Sequence, residues 1–118
     1  ITLKVAQEAA AELAAEGVEC TILHMPTIKP FDREQLLDLA GKVRAIVAIE
    51  ENTILGGLGS AVAEEIAEAG FSPGKKFKRI GIPDVFSDRY GSQANLMDYH
   101  HINAGTTVAT VRSLLERR

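Results

Sequence analysis

Apolar residues recur at helical spacing from the first positions of the chain. Leu3, Ala6, Ala10 and Leu13 fall on one side, Val5 and Ala9 widen the stripe, and Glu8, Glu12 and Glu16 lie opposite. This pattern predicts a helix over Thr2–Glu16, with Thr2 placed to cap it and Gly17 at its C′ position. Val18–His24 then alternates, with Val18, Cys20 and Ile22 against Thr21 and Leu23, as a strand does until Met25-Pro26 ends it. After a loop at Thr27–Pro30, Asp32 and Gln35 have the spacing of a capping box. Leu36, Leu39 and Ala40, with Leu37 beside them, form a short helical stripe closed by Gly41. Val43–Ile49 is nearly all apolar, as expected of a parallel strand covered on both faces.

A cluster of glycines follows, then a helix from about Ser60 to Ala69, closed by Gly70. Ser72-Pro73-Gly74 reads as a turn. Phe77–Ile82 reads as a strand stopped by Pro83. Asp84–Ser92 is expected to be a loop, Gln93–Tyr99 a short helix, and His100–Gly105 a link. The last helix, Thr106–Glu116, carries Val108, Val111, Leu114 and Leu115 on its apolar side. Strands alternating with helices predict an α/β fold with a mainly parallel sheet between helix layers.

Composition narrows the function classes. The chain has 118 residues and 46% hydrophobic content, which fits one domain (residues 1–118) with its own core. A net charge of −3 gives no reason to expect nucleic acid or an anionic membrane as partner. Cys20 is the one cysteine, which excludes an internal disulfide and fits a reducing, cytoplasmic setting. No apolar run approaches the ~20 residues that span a bilayer. The first residue is isoleucine and a helix begins at once, which suggests a fragment whose preceding strand lies outside this sequence.

The stretch Ala45–Val62 holds the candidate chemistry: an apolar strand, Glu50 and Glu51, then Gly56, Gly57 and Gly59 before a helix. A dinucleotide fingerprint needs a third glycine where Val62 stands, and a phosphate loop needs a Lys-Ser or Lys-Thr pair that is absent. The two glutamates would repel a phosphate. The glycines are therefore expected to permit positive φ and a close helix–strand approach. Glu50 and Glu51 point to opposite faces of a strand, so they are not a joint acid/base pair. One of them is expected to reach the helix N-terminus at Gly59–Ala61, or a partner chain. His24, His100 and His101 lack ligand spacing, so no metal site is predicted. Lys75, Lys76, Lys78 and Arg79 read as a solvated strand edge. The residues alone support an α/β domain with no catalytic, cofactor-binding or metal site of its own.

Four segments together resemble a known domain: Met25–Asp32 (MPTIKPFD), Ala48–Asn52 (AIEEN), Gly56–Glu64 (GGLGSAVAE) and Arg79–Phe86 (RIGIPDVF). In order and spacing they are similar to the C-terminal domain of transketolase-like, thiamine-diphosphate-dependent enzymes, above all the C-terminal subunit of split transketolases. The resemblance implies a three-layer α/β/α domain with a mixed, mainly parallel sheet and a first strand missing from this chain. It implies thiamine diphosphate and Mg²⁺ in the parent enzyme, held by an N-terminal diphosphate domain and a middle pyrimidine domain, and none in this one. These domains or subunits are the implied partners, within a parent homodimer that moves a two-carbon ketol unit between sugar phosphates. Glu50, Glu51, Gly56, Gly57, Gly59 and Ser60, with Lys29 and Pro30, match the family's inter-domain contact block. The same domain occurs in 1-deoxyxylulose-5-phosphate synthase and 2-oxoacid dehydrogenase β subunits, which are the alternative parents. An alternative of another class is a free-standing regulatory module that binds anions through the glycine loop.

Overall fold

A computed structural model describes residues 2–25, 32–53, 57–82 and 101–116. In chain order it contains α1 (Thr2–Ala15), α2 (Arg33–Ala40), β1 (Ala45–Thr53), α3 (Leu58–Ala69), β2 (Lys76–Ile82) and α4 (Ala104–Glu116). The expected loops at Thr27–Pro30 and Asp84–Ser92 and the short helix Gln93–Tyr99 lie outside the described residues. None of the described helices is long and apolar enough to cross a membrane.

Local chemistry sets the boundaries. Gly17 takes φ +83°, and the N–H groups of Gly17 and Val18 reach back to Ala14 and Leu13. That is a Schellman ending, and it needs a residue without Cβ at this position. Asp32 caps α2 by accepting the Gln35 N–H at 3.1 Å. Gly70, at φ +66°, closes α3 as expected. Gly41 instead stays right-handed and ends α2 through turn-type hydrogen bonds from Lys42 and Val43.

β1 and β2 pair in parallel, with Ile46 beside Phe77 and Ile49 beside Ile80. The register slips between Ile49 and Thr53, where Glu50 and Glu51 stand. Alternation sorts the two faces. Ile46 and Phe77 pack with Leu36, Val62 and Ile66 of α2 and α3. Val47 and Ile49 pack with Ile80 and Ile102 on the α4 side. Ala9, Leu13 and Val108 form the seam between α1 and α4. The helices thus form two layers with the sheet between them.

One predicted strand is absent. Val18–His24 forms no strand and joins no sheet among the described residues. Its alternation survives in part: Val18 packs toward the α1–α4 seam and Leu23 toward the α2–α3 cluster. What it lacks is a neighbour. A strand exists only through its ladder, and here a cleft of about 790 Å³ borders both this segment and β1. On α1, Val5, Ala9 and Leu13 are buried, while Leu3 is exposed and Ala6 and Ala10 are half-buried; all of these but Val5 border the cleft.

Candidate functional site

The strand–glycine–helix corner forms as the sequence outlines it, with two shifts. β1 runs past Ile49 to Thr53, so Glu50 and Glu51 are strand residues. α3 starts at Leu58, so Gly59 and Ser60 belong to its first turn rather than to a loop. Gly57 is the N-cap, with φ −95° and ψ −154°, and has no side chain to cap with.

Glu50 supplies the missing cap from the strand. Its Oε2 accepts the Gly59 N–H at 2.6 Å, and the residue is only 6% exposed. A carboxylate is favoured there because the helix start carries unsatisfied N–H groups and a partial positive charge. Glu50 Oε1 is buried and has no hydrogen-bond partner. Glu51, the next residue on the strand, is half-buried, and alternation carries it away from the face that Glu50 occupies.

Positive φ is not the reason for glycine at 57 or 59; neither adopts it. At Gly59 the reason is space. A Cβ there would lie 2.7 Å from Cγ and Cδ of Arg79 and 2.9 Å from Glu50 Oε2. Arg79 crosses the helix start and donates from Nη1 to Ser60 Oγ at 3.2 Å. Gly56, Lys29 and Pro30 lie outside the described residues, so the structure brings together Glu50, Gly59, Ser60 and Arg79 of this corner.

Arg79 was expected on a solvated edge, and so was Lys75. Lys75 is half-buried instead: its Nζ donates to the Val43 carbonyl at 2.7 Å and sits 4.7 Å from the centre of the Phe71 ring. Only Lys78 of this cluster is exposed. Sequence reading also missed Asn103, which caps α4 by accepting the Thr106 N–H at 2.7 Å. The signal was present, since an Asn three residues before a helical stretch is a cap pattern.

The corner does not fit a diphosphate. The Gly59 N–H that would meet an anion is already taken by a carboxylate, and burial of Glu50 would set like charges against each other. Among the described residues no group of three or more His, Cys, Asp or Glu side chains could hold a metal ion. Cys20 is exposed, yet its surroundings partly desolvate the sulfur and push the thiol above its ordinary pKa.

Residues 1–106 match the family model described as transketolase, C-terminal domain. The chain is 39% identical over 115 residues to 1-deoxy-D-xylulose-5-phosphate synthase 1 of Geobacter sulfurreducens, covering 98% of this chain and 18% of that protein. It is 38% identical over 112 residues to an uncharacterized transketolase family protein of Sinorhizobium fredii, covering 94% of this chain and 32% of the relative. A solved chain described as a split gene transketolase, inactive beta4 tetramer, superposes with a TM-score of 0.86 at 36% identity. That match covers 98% of this chain and 36% of the solved one. The chain therefore spans well under half the length of these proteins.

Proposed function

Because the chain belongs to the transketolase C-terminal domain family, we propose that it is the assembly domain of a thiamine-diphosphate-dependent transketolase. The parent enzyme transfers a two-carbon ketol unit between sugar phosphates in the cytoplasm. The cofactor and its Mg²⁺ sit in the diphosphate and pyrimidine domains, and this domain packs against them and supports a dimer. Glu51, Gly56, Gly57 and Ser60, with Lys29 and Pro30, form the contact block, and Glu50 and Gly59 hold that block in place.

The observation that carries this reading is the Glu50–Gly59 hydrogen bond. It occupies the helix start that follows the glycine cluster, so the glycines serve packing instead of ligand binding. Calorimetric titration of the chain with thiamine diphosphate and with a sugar phosphate tests this. Neither should release measurable heat of binding. Saturable binding of either would favour a free-standing anion-binding module and overturn the assembly reading.

A second parent is supported by a specific finding. The Geobacter relative is a 1-deoxy-D-xylulose-5-phosphate synthase. In that enzyme the domain would have the same assembly role, with a different acceptor for the two-carbon unit chosen elsewhere in the protein.

A further inference from the structure

No further inference is drawn: the strongest candidate, the buried and unpartnered Glu50 Oε1 toward the carboxyl end of β1 beside the first turn of α3, belongs to the packing corner already described, and nothing in the structure shows what donor meets it.

Discussion

Glu50, on β1, accepts the backbone N–H of Gly59, on α3, at 2.6 Å across nine residues of sequence. The helix has a glycine N-cap with no side chain of its own, and the strand provides the acceptor. That bond turns a glycine loop that looks fit for a ligand into a closed packing corner.

Replacing Glu50 should therefore act on stability. Glu50→Ala leaves the Gly59 N–H buried without its acceptor and should cost about 1–3 kcal/mol. Glu50→Gln keeps an acceptor and should cost less than Glu50→Ala. Urea unfolding of the three proteins checks the order.

Gly59→Ala tests the close approach. Alanine gains about 1 kcal/mol of helix propensity over glycine. The added Cβ would sit 2.7 Å from Arg79 and 2.9 Å from Glu50 Oε2, and overpacking costs about 1–3 kcal/mol. A net loss of up to about 2 kcal/mol is expected, at roughly 3–6 °C of Tm per kcal/mol. A Tm equal to or above wild type would show that Arg79 moves aside freely.

The seam between α1 and α4 rests on apolar packing. Leu13 and Leu114 are each 1% exposed, and Leu13→Ala should cost about 2–5 kcal/mol. Arg112 pairs with Glu16 across the same seam, and that contact raises the guanidinium pKa. The pair is solvent-exposed and salt-screened, so Arg112→Gln should change stability far less than Leu13→Ala. Thermal melts at low and high salt distinguish the two.

Cys20 should behave as a weakly acidic thiol. Burial disfavours the thiolate, so the folded pKa lies above the ordinary value. Its alkylation rate should rise at a higher pH in the folded chain than in the chain unfolded by urea. By linkage, the Cys20 contribution to stability is fully present below the unfolded thiol pKa and is lost as pH rises through the folded one. An alkylation profile displaced to lower pH on folding would contradict this.

Much of this was legible in the sequence because it depends on local chemistry. Gly17, Asp32 and Gly70 ended or capped helices where their backbone and side-chain preferences placed them. The apolar run after Val43 became the paired strand, and a glutamate did reach the helix start. What failed depends on neighbours. Val18–His24 has strand periodicity but no ladder, because pairing is a property of two segments. Leu3, Ala6 and Ala10 sit at helical spacing, yet nothing described fills the space before them. The roles of Arg79 and Lys75 were hidden because long cationic side chains lay their stems on packed surfaces that composition does not reveal.

The account stands most directly on one measurement: ketol transfer from a ketose phosphate to an aldose phosphate, with thiamine diphosphate and Mg²⁺ supplied. The 118-residue chain alone should show no turnover, and activity should appear only when polypeptides carrying the diphosphate and pyrimidine domains are added and form a complex with it. Turnover by the chain alone would contradict an assembly role and require an active site within it.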